Sequence, residues 1–199
     1  RDREVRSNKW GIGQAALIPS RENAVLGLIG CGRIGMATAR KFRALGFERI
    51  LVFDPFLAAG NAAAVGLELT DLETLSRLSD VVSVHAPLTS ETHRILGAEL
   101  FALMKPTTIV VNVSRGGLVD ETALAQALNE GRIFGAGIDV FEEEPVRPDH
   151  PLLSTPNTVL SDHTAWYSER SVAVLQRNAA TEISRVLSGE TPRNWVNRW

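Results

Sequence analysis

The chain has 199 residues, with 21 Lys and Arg against 23 Asp and Glu. That length fits one or two domains, and the net charge of −2 supplies no field for a nucleic-acid backbone or an anionic membrane. A hydrophobic fraction of 44% and a single cysteine, Cys31, exclude a disordered chain, an internal disulfide framework and a multi-cysteine metal site; no metal-ligand spacing appears elsewhere either.

In chain order, residues 1–22 show no strand or long-helix repeat and read as an arm or linker. From Ala24 the pattern becomes regular. Ala24-Val25-Leu26-Gly27-Leu28-Ile29 is a continuous apolar run closed by glycine, as in a strand buried on both faces. Ile34, Ala37, Phe42 and Leu45 then share one helix face, which Gly46 ends. Ile50–Phe53 is a second strand, and Thr70 with Glu73 makes a capping-box pattern for a short helix through Leu75 and Leu78. Val81–Val84 and Thr108–Val113 follow as strands. Asp120 caps a helix to Glu130, with Gly131 just past its end. Gly135–Val140 and Thr158–Leu160 complete six strands, and Val172, Leu175, Ala179, Ile183 and Val186 mark a long amphipathic helix ending at Ser188-Gly189. Strands interleaved with helices predict an α/β fold with a doubly wound parallel sheet over 23–170, and a C-terminal helix and tail over 171–199.

Gly30-Cys31-Gly32-Arg33-Ile34-Gly35 is a G-x-G-x-x-G that follows a strand and opens a helix. Gly30 permits the tight turn, Gly32 lets the backbone approach a pyrophosphate, and Gly35 lets the helix sit against the strand. The second strand ends at Asp54, about twenty residues beyond the loop, where a carboxylate accepts from ribose hydroxyls and repels a 2′-phosphate. Pro55 and Phe56 follow, with no Arg or Lys beside it to welcome that phosphate. The expectation is a Rossmann domain that binds NAD rather than NADP. Cys31 fills a variable slot and reads as a small buried residue.

Three strand ends carry isolated polar groups. Arg115 precedes Gly116-Gly117, Glu144 stands in Asp139-Val140-Phe141-Glu142-Glu143-Glu144-Pro145, and His163 in Ser161-Asp162-His163-Thr164-Ala165-Trp166. Ketone reduction needs a hydride donor, a proton donor working near neutrality and a cation that anchors and polarises the substrate. A histidine held by a carboxylate, with an arginine, meets the last two needs. Taken singly, each residue also reads as a surface or loop group, and the pairing of Glu144 with His163 cannot be read from spacing.

The loop 30–35 with Asp54, then His85-Ala86-Pro87-Leu88-Thr89-Ser90-Glu91-Thr92, Asn112-Val113-Ser114-Arg115-Gly116-Gly117-Leu118-Val119-Asp120-Glu121, Asp139 through Pro145, and His163 together resemble the D-2-hydroxyacid dehydrogenases over about 22 to 190. The resemblance implies that Arg115 binds the substrate carboxylate and carbonyl, that Glu144 orients the histidine and favours its charged form, and that His163 is the acid/base. It implies NAD contacts at Gly30, Gly32, Arg33, Ile34, Asp54, Ala86, Pro87, Thr92, Val113, Ser114, Arg115, Asp139 and His163, with Asp139 at the nicotinamide amide. Formate dehydrogenases share the scaffold but carry an amide where Glu144 stands.

His163-Thr164-Ala165-Trp166-Tyr167-Ser168-Glu169 is more narrowly similar to the C-terminal-binding proteins, NAD-linked corepressors, which implies that Trp166 packs on the keto-acid side chain. The alternative is a Trp that simply covers the edge of the nicotinamide pocket. Asp162 stands where a proline is common, and its carboxylate could add to the charge at His163 or draw it from Glu144. His93 is expected to face solvent, His150 to sit in a loop, and His85 to support the loop after the third strand.

The family carries a second, substrate-binding domain of roughly a hundred residues, mostly upstream; here only a short arm precedes Ala24. The expectation is a fragment that binds NAD and turns over slowly or not at all, with some of Trp166, Trp195 and Trp199 left exposed. The resemblance also implies a homodimer through the NAD-binding domain. The leading reading is an enzyme acting on a small 2-keto or 2-hydroxy acid, without nucleic acid or membrane. The second is an NAD(H)-sensing dimer that binds partner peptides. No apolar run approaches the ~20 residues of a membrane span, and Arg1-Asp2-Arg3-Glu4 is unlike a signal peptide, so a cytoplasmic location is expected.

Overall fold

Strand β1 (Val25–Ile29) is an apolar five-residue run whose last four residues are buried. It pairs in parallel with β2 (Arg49–Phe53) on one side and with β4 (Val81–Val84) on the other. Apolar residues on both faces make this central position stable, because helices cover each face. The computed structural model describes residues 5–10, 20, 22–193 and 195. Within them the sheet is completed by β3 (Glu68–Leu69), β5 (Ile109–Asn112), β6 (Gly135–Ile138) and β7 (Thr158–Leu160). The order is β3-β2-β1-β4-β5-β6-β7, every pair parallel. The chain thus winds outward from β1 in both directions, and a crevice opens at the carboxyl ends where the winding reverses.

Helices α1 (Arg33–Ala44), α2 (Ala59–Ala64), α3 (Leu72–Leu78), α4 (Ala98–Leu103), α5 (Glu121–Asn129) and α6 (Glu169–Leu187) follow or flank these strands. Alternation along the strands divides the core in two. Leu26, Leu28, Ile50 and Val52 pack with Ala39 and Phe47 on one face, while Ile29, Leu51, Val82 and Val84 join Leu75, Phe101 and Leu124 on the other.

The doubly wound parallel sheet is as expected, with a seventh strand added. β3 escapes reading because it has two residues, both exposed, at the sheet edge. α2 is Ala-Gly-Asn-Ala-Ala-Ala and α4 buries only Phe101, so neither shows an apolar period. The cap read at Thr70 belongs one residue later: Asp71 Oδ1 accepts from Thr74 N at 2.7 Å, while the Thr70 N–H is already committed to Val52 O at 2.9 Å. Asp120 caps α5 as expected, accepting from Ala123 N at 3.0 Å. α6 starts ahead of the apolar spacing, at Ser168, which caps Ser171 N.

None of the 19 residues of α6 is buried, and Leu175, Ile183 and Val186 stand exposed along it. Trp166 and Trp195 are about half exposed; Trp199 and most of the arm over 1–22 lie outside the described residues. No helix among the described residues is long and apolar enough to cross a membrane.

Candidate active site

Because all strands run one way, the segments after β1, β2, β4, β5, β6 and β7 gather at one edge, and each contributes a residue singled out in the sequence. The β1–α1 turn is built on close approach. Gly30 sits at φ +88°, and a Cβ there would fall 2.6 Å from the backbone nitrogen of Ala86. A Cβ on Gly35 would fall 2.5 Å from Gly30 O, whereas Gly32 has open space beside it. No side chain caps α1, and its first internal bond runs from Met36 N to Gly32 O. The N–H groups of Arg33, Ile34 and Gly35 are therefore left for an anion such as a pyrophosphate.

Asp54 braces this turn: Oδ2 accepts from Cys31 N at 2.8 Å and Oδ1 from Phe56 N at 2.9 Å. Each oxygen keeps a further lone pair for a ribose hydroxyl. Cys31 is buried, and burial, followed by the charge of Asp54, pushes its thiol up, so it is an inert packing residue. An open glycine, free helix N–H groups and an acid at the end of β2 together fit a dinucleotide without a 2′-phosphate.

The segment after β4 is closed by Thr92, whose hydroxyl donates to Pro87 O at 2.7 Å and accepts from Thr89 N at 2.8 Å. His85, expected to support this loop, turns back to the strand instead: Nε2 meets Ser83 Oγ at 2.9 Å, and burial pushes the imidazole below its ordinary range. After β5, Ser114 donates to Ala86 O at 2.8 Å, and Val113 and Arg115 are exposed beside it. Asn112, buried at the strand end, accepts from Ser114 N at 3.1 Å and donates to Arg115 O at 2.9 Å. It fixes the turn that presents the guanidinium. An amide that closes an apolar strand is the signal in the sequence for this role, which the motifs above do not assign.

After β6 and β7 the remaining groups converge. Asp139, 3% exposed, accepts through Oδ1 from the Ser161 hydroxyl at 2.6 Å and from the N–H groups of Thr164 and Ala165 at 2.9 and 3.0 Å. Its carbonyl accepts from His163 N at 2.7 Å. These bonds hold His163 in the left-handed region at φ 59°, where a non-glycine backbone is strained. His163 Nδ1 then lies 2.8 Å from Glu144 Oε2, and Glu144 Oε1 accepts from Phe141 N at 3.0 Å. The bond to His163, then that from Phe141, hold the Glu144 carboxyl below its ordinary range, with a smaller contribution from the charge of Arg115. Glu144 and His163 wall a cavity of about 730 Å³ with Val146, Leu153 and Leu160. The Trp166 indole donates to His163 O at 3.0 Å and meets Tyr167 edge-on.

The extra carboxylate of Asp162 does not draw His163 from Glu144; it accepts from the Thr164 hydroxyl at 2.8 Å. His93 is half exposed and meets Glu142 Oε1 at 3.1 Å. His150 sits in a loop, as expected, but it is buried there and meets Glu121 Oε2 at 2.9 Å.

With this geometry in view, residues 1–165 match the family described as D-isomer specific 2-hydroxyacid dehydrogenase, NAD binding domain. The chain belongs to that family. Its relatives include a glyoxylate reductase of Korarchaeum cryptofilum, 42% identical over 99% of this chain and 60% of the relative. A D-3-phosphoglycerate dehydrogenase of Archaeoglobus fulgidus is 38% identical over 98% of this chain and 37% of its own length. The crystal structure of D-lactate dehydrogenase with NAD+ from Lactobacillus jensenii superposes with a TM-score of 0.87 at 27% identity, covering 99% of this chain and 62% of that one. The chain thus spans about 60% of the length of the glyoxylate reductase. Its doubly wound sheet is the family's NAD-binding domain.

Proposed function

We propose that the protein is an NAD-dependent oxidoreductase that interconverts a small D-2-hydroxy acid and its 2-keto acid. The observation that carries this reading is the His163–Glu144 pair at 2.8 Å, on the rim that also bears Arg115. Bound NADH would supply the hydride received by the carbonyl carbon. Arg115 pairs with the substrate carboxylate and polarises the carbonyl. His163, its Nδ1 occupied by Glu144, gives a proton from Nε2 to the carbonyl oxygen and takes it back in the oxidation. Glu144 holds the ring in that tautomer and balances its charge.

Cofactor contacts are proposed at Gly30, Gly32, Arg33, Ile34, Asp54, Ala86, Pro87, Thr92, Val113, Ser114 and Arg115, and at His163. Asp139 keeps Oδ2 partly free, which suits the nicotinamide amide. Trp166, exposed beside His163, is proposed to meet the substrate side chain. The protein is read as a cytoplasmic homodimer joined through this domain, and this chain alone as slow, because a crevice with one wall excludes water poorly.

The test is NADH oxidation with glyoxylate, pyruvate, hydroxypyruvate and longer 2-keto acids, in wild type and Arg115→Ala. Turnover that Arg115→Ala abolishes supports the reading. A change in sedimentation with NADH, with no acid consumed, favours an NAD(H)-sensing interaction protein instead.

A further inference from the structure

The Phe141–Glu142 peptide is where the two halves of the proposed catalytic set meet. Its inner side lies against Gly116, the residue after Arg115. A Cβ on Gly116 would fall 1.8 Å from the Phe141 carbonyl carbon and 2.2 Å from the Glu142 nitrogen. Toward the crevice, Phe141 N donates to Glu144, whose other oxygen meets His163. A shift of this one peptide therefore disturbs Arg115 and Glu144 together.

Its outer side is held by an acid. Glu142 N donates to Glu121 Oε1 at 2.8 Å, and Glu121 Oε2 meets His150 Nε2 at 2.9 Å. The two side chains are only 11% and 9% exposed. His150 Nδ1 accepts from Leu152 N at 3.3 Å, so the ring carries its proton on Nε2 and donates it to Glu121. The same ring stands edge-on to Phe141 at 5.5 Å. Helix α5 does not need Glu121 as its cap, since Asp120 already serves. A carboxylate this deep is unfavourable unless its oxygens are satisfied, and here they are satisfied by the Glu142 N–H and an imidazole N–H. The Glu142 side chain has its own partners, His93 and Arg94, but those pairs are well exposed and contribute little.

We propose that Glu121 and His150 are positioning residues: the buried pair fixes the Phe141–Glu142 peptide and thereby keeps Arg115, Glu144 and His163 in one geometry. The catalytic consequence rests on the dehydrogenase reading above. Neither residue touches the reacting atoms.

Three variants of the 199-residue chain test it. Glu121→Ala removes the hold. His150→Asn keeps an oxygen for Leu152 N but does not reach Glu121. His150→Gln reaches Glu121 with its amide nitrogen and gives up the Leu152 contact. Two readouts are taken: kcat for 2-keto acid reduction, and the 15N shift of His163 Nδ1, which reports the bond to Glu144 without turnover. Glu121→Ala and His150→Asn are expected to lower kcat about 100-fold, the scale of a 1 Å misplacement. They should also move the His163 shift and leave NADH affinity unchanged, and His150→Gln should restore both readouts. The proposal is overturned if His150→Asn keeps the wild-type shift while only Tm falls, or if His150→Gln is as impaired as His150→Asn. If the wild-type chain reduces no acid, kcat is silent on the dehydrogenase reading and the His163 shift alone decides the positioning claim.

Discussion

Glu144 Oε2 lies 2.8 Å from His163 Nδ1, which leaves Nε2 as the nitrogen proposed to serve the substrate. Glu144→Gln keeps the size of the side chain but removes its charge. It is expected to lower kcat about 10²- to 10⁴-fold with little change in KM for the keto acid, measured by steady-state NADH oxidation. A raised KM at unchanged kcat would make Glu144 a binding residue instead.

Gly32 and Gly35 separate cofactor space from fold space. A methyl on Gly35 meets Gly30 O at 2.5 Å, while one on Gly32 meets nothing within 4 Å. Gly35→Ala should lower stability by about 1–3 kcal/mol, read by urea unfolding. Gly32→Ala should unfold like wild type yet bind NADH about tenfold more weakly, ~1.4 kcal/mol, by fluorescence titration. Equal NADH affinity in Gly32→Ala and wild type would place the pyrophosphate elsewhere.

Asp54 braces the glycine turn and is proposed to exclude a 2′-phosphate, so the informative quantity is a ratio. In Asp54→Ala the affinity for NADPH relative to NADH should rise about tenfold or more, as loss of a close charge repulsion implies. Calorimetric titration with the two cofactors checks this; an unchanged ratio would remove Asp54 from the adenosine ribose.

Burial pushes the Asp139 carboxyl up, but the bonds from Ser161, Ala165 and Thr164 and the charge of His163 outweigh it, leaving Asp139 below its ordinary range. The unfolded chain therefore binds this proton more readily than the folded one. The stability Asp139 contributes is complete above about pH 4, the unfolded value, and is lost as pH falls through the lower folded value. Asp139→Asn should lower Tm at neutral pH and flatten its decline on the acid side. An acid limb identical to that of wild type would mean that the carboxylate charge stabilises nothing.

Most of the sheet was legible because its strands are apolar runs of three to five residues separated by caps and glycines. Asp120, Gly131 and Gly189 mark their helix ends through local chemistry that spacing alone reveals. β3 and α2 were not legible, since an exposed two-residue edge and a run of alanines carry no period. The position of the candidate site was legible where residues cluster after strand ends, as with Arg115 and His163. The role of His150 was not, because its burial depends on Phe141 across an irregular loop and on Glu121 of α5, distant in the chain. Asp71 rather than Thr70 is the cap because the helix begins at Leu72, which puts the Asp71 carboxylate in reach of the Thr74 N–H, and that start is not marked in the sequence.

The central claim is hydride transfer with His163 as the acid, and isotope transfer measures it even where turnover is slow. The chain is incubated with NADH deuterated on the transferring face of C4 and with each 2-keto acid, and the acids are analysed by mass spectrometry. Deuterium is expected at C2 of a 2-hydroxy acid, in the D configuration where that carbon is chiral, and is expected to be lost in His163→Ala. Bound NADH that passes deuterium to none of the acids, or transfer undiminished in His163→Ala, would contradict it.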